Sequence, residues 1–429
     1  MRVATYPGVI STHSEATIVK NIEDHLISQI EEQLTCHEPV RIVSDRSPGD
    51  RDTVFRGSFE EINRHFQDNS WSDGLPVVPP TVAKIEEFLR YTDRSPDELL
   101  GAMHPSQAEA TIWKVAVNGV MAGCRPEYMP ILIAIVEVMA DPQYAVKHGG
   151  STPGWEAMII LNGPIGDQLG FNHGIGVQRP GNQANTSIGR FYRLFCRNVL
   201  RFLPGTTDMA TFGQMFRAVV AENDQACMDM GWQPLHATRG FERGDSVVTL
   251  ASVRSVSDPF STAGENAERH LGYIVDWAKR MMHPYQASEG YVETNVLLLT
   301  PIIASIIAKA GYSKQTLNDY IMKHAVVSAR KFEHLMTLGD AQPPGTTLRD
   351  LVQRGAMPAA WAESDNPQRM VPLMLPETQW LVIVTGDPTR NRCCILRQNF
   401  KQGYATSRKI QLPARWDAML AQAKSGSQS

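Results

Sequence analysis

Between residues 161 and 190 the chain contains seven glycines (163, 166, 170, 174, 176, 181 and 189) and four asparagines (162, 172, 182 and 185). Glycine adopts backbone conformations closed to other residues, so such a stretch does not settle into one long helix or strand. A connection of this length inside a folded domain is either functional or disordered. The apolar run 157–161 before it reads as a buried strand, and a helix is expected after it over about 186–203, stopped by Pro204-Gly205. Ordered elements on both sides favour function. Any fold for this chain must hold a long polar loop between a strand and a helix.

The rest of the composition is that of a folded domain. Of 429 residues, 42% are hydrophobic and 20% charged, which leaves no room for disorder over the bulk of the chain. Lys and Arg number 41 against 45 Asp and Glu, a net charge of −4, without the basic surplus or Lys/Arg block of a nucleic-acid binder. Residues 1–8 lack the apolar core of a secretory signal. The most apolar run, 296–308, is too short for the roughly 20 residues that cross a bilayer and reads as a buried helix. Cys36, Cys124, Cys196, Cys227, Cys393 and Cys394 are scattered and form no CxxC, so reduced thiols in a cytoplasmic protein are expected.

Periodicity and turn chemistry suggest a mixed α/β fold, with helices packed on a mostly buried sheet and a helical N-terminal extension. Residues 1–66 form the extension, with a helix over 18–34, a short strand at 40–43 and a charged linker at 44–56. Residues 67–260 form a core containing the glycine-rich loop, and 261–429 an α/β half, either separate or part of the same domain. Thr81 caps a helix from Val82. Further helices are expected over 107–121, 131–139 and 314–338, and strands over 245–253, 380–385 and 393–397. No internal repeat is apparent.

Gly163-x-x-Gly166 and Gly174-x-Gly176 do not make a dinucleotide fingerprint, and there is no P-loop or HExxH. Gly150-Ser151-Thr152-Pro153-Gly154 has Thr where a nucleophile elbow needs Ser. No cofactor and no metal are expected. Cys124 falls between two helices, beside Arg125 and just before a helix start, where a thiolate is favoured. Burial as a packing residue is its alternative. In the glycine-rich stretch, Asn162, Asn172, His173, Asn182, Asn185 and Arg190 offer amide, imidazole and guanidinium groups to a polar ligand. The alternative is a packed loop whose asparagines bond their own backbone. Arg190, Arg193, Arg197 and Arg201 line one side of the following helix, as a solvated face or an interface. Glu222, placed on a helix, and His173 are candidate proton carriers or structural groups.

Four segments carry a resemblance: 73–81 (Asp-Gly-Leu-Pro-Val-Val-Pro-Pro-Thr), 115–128 around Asn118 and Cys124, 162–165 (Asn-Gly-Pro-Ile) and 184–190 (Ala-Asn-Thr-Ser-Ile-Gly-Arg). Together they resemble the large component of the bacterial UGSC-family (seleno)protein systems, over about 70–255. That resemblance implies a thiol- or selenol-dependent enzyme of two components, partnered by a small Cys/Sec-Gly-Ser-Cys protein. No Gly-Ser-Cys occurs in this chain. The expectation is an enzyme, or the large subunit of one, performing lyase-type or thiol-dependent redox chemistry on a small polar or anionic substrate. Cys124, Glu222 and His173 would be catalytic. Asn118, Arg125, Asn162, Asn172, Asn182, Asn185 and Arg190 would bind substrate. A non-catalytic partner subunit and a thiol-independent hydrolase or hydratase are the alternatives, and an oligomer without nucleic-acid or membrane partners is expected.

Overall fold

The apolar runs of the chain become strands buried on both faces, and this dictates a layered architecture. The computed structural model describes residues 4–35, 48–214, 218–338, 341–399 and 403–426. It is mixed α/β, 42% helix and 15% strand, so helix is plentiful enough to cover more than one sheet face. Two units separate, Met1–Val54 and Phe55–Ser429. The first carries a helical stretch, Glu15–Asn21, a π turn Ile22–Leu26 and Ile27–Thr35, started by Ser14, whose hydroxyl accepts from the Thr17 N–H. The strand expected at 40–43 lies outside the described residues. The division falls earlier than residue 66, because the Phe59–Asp68 helix belongs to the larger unit, where Phe66 enters the core.

In the larger unit, β1 (Leu99–Met103) and β2 (Ala108–Thr111) form a hairpin. A first sheet follows, with β3 (Glu156–Asn162) at its centre. On one side β3 pairs in parallel with β4 (Ala218–Ala221), and on the other antiparallel with β5 (Val247–Val253). The chain then crosses through β6 (Ser255–Val256) and β7 (Phe260–Ser261) into a second sheet. That sheet is built on β8 (Thr294–Leu299). A small ribbon of β9 (Val326–Ser328) and β10 (Met370–Pro372) precedes β11 (Gln379–Val384), which lies parallel to β8. β12 (Arg392–Arg397) runs antiparallel to β8, and β13 (Thr406–Lys409) returns to pair with β5.

The two sheets therefore repeat one plan. Each has a central strand, a parallel neighbour and an antiparallel neighbour, and each takes its edge strand from the other half. This repeat is invisible in the sequence, because what recurs is pairing direction and not residue identity.

Alternation along the strands fixes the layers. Met158, Ile160, Val220, Ala251, Val296, Leu298, Leu381, Ile383 and Leu396 share the inner layer between the sheets. Ile159 and Leu161 face a core formed with the Ile112–Ala122, Met129–Ala140 and Gln183–Asn198 helices. Leu297, Leu299, Val382 and Ile395 face a core formed with the Ala267–Met281, Pro301–Lys309 and Lys314–His324 helices. The order is helices, sheet, sheet, helices, with two sheets in place of the single one expected.

Three helical expectations are corrected. Residues 108–111 are β2, and the helix starts after Thr111, whose hydroxyl accepts from the Lys114 N–H. The run 296–308 is the end of β8 followed by a helix: a continuous apolar run has no periodicity to separate the two, and Pro301 at the first helical turn marks the break. Residues 314–338 break at β9, which the β10 pairing holds extended.

Candidate functional site

The Gln183–Asn198 helix organises the site. Asn182 caps it, its side chain accepting from the Asn185 N–H at 3.2 Å, so the helix begins earlier than residue 186. Ala184, Ile188, Phe191, Leu194 and Phe195 bury one face in the outer core. The arginines lie elsewhere around it, and three of them pin neighbouring loops. Arg190 donates from Nε and Nη2 to both Asp73 oxygens (3.1 and 2.9 Å) and from Nη2 to the Pro76 carbonyl (2.8 Å). Arg193 pairs with Glu156 (3.1 Å) and Asp208 (2.6 Å). Arg197 donates to the Ser70 carbonyl (2.7 Å).

Arg190 and Arg193 also face a cleft of about 820 Å³, the size of a small-molecule site. Its walls are the first turns of this helix, the starts of β3 and β4, residues 177–180 of the glycine-rich loop and the loop 204–214. Glu156 and Asp208 line it, held by Arg193. Arg179 lines it as well, and differs from the other two arginines: among the described residues its exposed guanidinium has no carboxylate and no hydrogen-bond acceptor. Trp155 forms part of the wall, and Leu75 and Phe212 are its exposed apolar residues.

The glycine-rich loop is held largely by its own asparagines. Asn185 accepts from the Asn172 N–H (2.9 Å) and donates to the Asn172 and Val219 carbonyls (3.2 and 2.8 Å). Asn172 accepts from the Gly174 N–H and donates to the Ile175 carbonyl, while Asn182 donates to the Gly170 carbonyl. These groups are occupied in shaping the loop. Of them, only Asn185 lines the cleft.

Cys124 packs beside the same helix. Gly123, in the left-handed region at φ 77°, ends the preceding helix, and its carbonyl accepts from Gln183 (3.4 Å). The thiol is 8% exposed. Burial pushes it up to about 12, outweighing the Ser187 hydroxyl and the Arg190 charge, which pull it down. This burial weighs against the favoured thiolate expected from the sequence. Arg125 is turned to Glu127 (2.9 Å) and lies over the Tyr128 ring.

The remaining candidates sit apart from the cleft. β3 begins at Glu156, in the cleft, and ends at Asn162, about 20 Å away at about 3.3 Å per residue. Asn162 donates to Glu222 (2.9 Å) and Asp224 (2.7 Å). Glu222 is not on a helix: it follows β4 and is fully buried, accepting from Lys314 Nζ (2.6 Å) and from the Leu235 and Val384 N–H groups (2.6 and 3.0 Å). Burial alone would raise its pKa, but the Lys314 charge and these donors bring it below the ordinary carboxylate value. The Lys314 pair and the two backbone donors leave Glu222 engaged between strand ends and outside the cleft lining. Asp224 is shifted upward, by burial and then by the Glu222 charge. His173 offers Nε2 to Asp167 at 3.6 Å, and its carbonyl accepts from Gly386 and Thr385. Asn118 bonds Asn198 and the Lys114 carbonyl.

The structure thus gathers the four resemblance segments around one helix or the β3 it packs on, and joins Arg190, Asn185 and Cys124. It adds Arg179, Arg193, Glu156, Asp208, Trp155 and Phe212. Arg193 stood in the arginine stripe and Arg179 in the glycine-rich window, but nothing local marked Glu156, Asp208 or Phe212. Compared with protein families, curated proteins and solved structures, the chain matches none.

Proposed function

We propose that the chain is an enzyme acting on a small anionic molecule bound in this cleft. The observation that carries it is Arg179, a guanidinium without a partner among the described residues, in a concave site whose other two arginines are already neutralised. The planar fork of a guanidinium matches an anion that accepts two hydrogen bonds. Glu156 and Asp208 are the carboxylates within the walls, and Cys124 stays protonated at neutral pH. Those two facts support a thiol-independent reaction, hydrolysis or hydration, over thiolate attack. Glu156 and Asp208, both held by Arg193, are the groups that would orient a water in such chemistry.

The test is calorimetric titration of the full chain with a panel of small carboxylates, phosphates and sulfonates. At least one class binds, and Arg179→Ala weakens it about 10- to 100-fold, the usual cost of a lost charge-assisted hydrogen bond. Unchanged affinity in the variant, or no binding by any anion, overturns the proposal.

A further inference from the structure

The walls of the cleft say more about its occupant than its charge. Three arginines line it and the carboxylates of Asp73, Glu156 and Asp208 are all engaged by two of them, so the six charges balance, and among the described residues Arg179 is the lining cation with no ion-pair partner of its own. A multiply charged anion would meet too few cations here and three carboxylates nearby. The apolar wall is larger than one charge requires. Phe212 is wholly exposed, Leu75 is 57% exposed, and Trp155, Val177, Ala210 and Val219 continue the surface inward. Phe212 is not loose at the end of a free loop: the Met209 N–H donates to the Gly150 carbonyl and the Thr211 N–H to the Thr152 carbonyl, tying this part of the loop to residues 150–152. An aromatic ring held in water at the edge of a concave site gains by covering an apolar surface.

We infer that the cleft takes a singly charged amphiphile, an anionic head on Arg179 and an aryl or alkyl body against Phe212 and Leu75. This rests on the proposed small-anion function and narrows its substrate class. The head and the body contribute through different residues, so they are separable.

The experiment is ligand-observed NMR and calorimetry on the full chain with phenylbutyrate, butyrate, phenylbutanol and inorganic phosphate. Phenylbutyrate binds at least about tenfold more tightly than butyrate, the gain from burying an aromatic body. Phe212→Ala brings phenylbutyrate toward butyrate and weakens butyrate, with its shorter body, by less. Arg179→Ala brings phenylbutyrate toward phenylbutanol. If butyrate or phosphate binds as well as phenylbutyrate, the amphiphile is wrong while the anion site stands. Phe212→Ala that leaves ligand affinity alone but changes the oligomeric state makes the rim a protein interface, and the inference fails. If no anion binds and phenylbutanol does, the anion site fails with it.

Discussion

A thiol loses acidity when its ionised form has no water around it. Cys124 shows how far this outweighs nearby positive charge: Arg190 pulls its pKa down, and burial still carries it to about 12. The other described cysteines, Cys196, Cys227, Cys393 and Cys394, are also buried and shifted upward. Iodoacetamide labelling of the native protein across pH 5–9, read for each cysteine by mass spectrometry, should therefore leave Cys124 unmodified until the chain unfolds. A midpoint for Cys124 below the roughly 8.5 of free cysteine would restore the thiolate. Arg179 is the opposite case at the same scale. Among the described residues no carboxylate pairs with it, and that leaves it available to a ligand.

Strand ends meet at Glu222. Its carboxylate, with the Asn223 N–H donating to the Val384 carbonyl and Thr385 Oγ1 donating to the Ala221 carbonyl, ties the end of β4 to the end of β11. Lys314 closes the pair from the start of a helix in the other half. Removing one member of a buried ion pair leaves the other uncompensated, so Glu222→Gln should cost about 3–5 kcal/mol in urea unfolding at neutral pH. The sign of its pH dependence follows from the lowered folded-state pKa. The stabilisation is complete above the ordinary carboxylate value of 4.5 and is lost as pH falls through the lower folded value. The gap between wild type and Glu222→Gln should accordingly narrow on acidification. A gap independent of pH would mean that the carboxylate charge is not what joins the strands.

At the scale of the molecule, the two halves exchange edge strands: β6 and β7 leave the first half for β12, and β13 leaves the second for β5. Neither sheet is complete without the other half, and the inner layer takes side chains from both. Residues 55–429 should consequently unfold as one cooperative body. Hydrogen exchange read by mass spectrometry on peptides covering β3 and β8 should lose protection at the same denaturant concentration. Two separated midpoints would show that the halves are independent domains.

The sequence by itself determined the mixed α/β class, the strands expected at 157–161, 245–253, 380–385 and 393–397 to within two residues at each end, the Thr81 and Gly123 helix boundaries and the glycine-rich loop between a strand and a helix. These follow from local rules: alternation, capping hydroxyls and the left-handed freedom of glycine. Local rules also allowed two outcomes for the loop asparagines, ligand groups or backbone ties, and for Cys124, thiolate or packing residue. Tertiary structure decided both, because desolvation and hydrogen-bond partners depend on what is packed alongside. The cleft itself belongs to that second kind of fact. Leu75, Glu156, Arg179, Arg193, Asp208 and Phe212 are spread from residue 75 to residue 212, and only the pairing of β3 with β4 beneath one helix sets them around a common space.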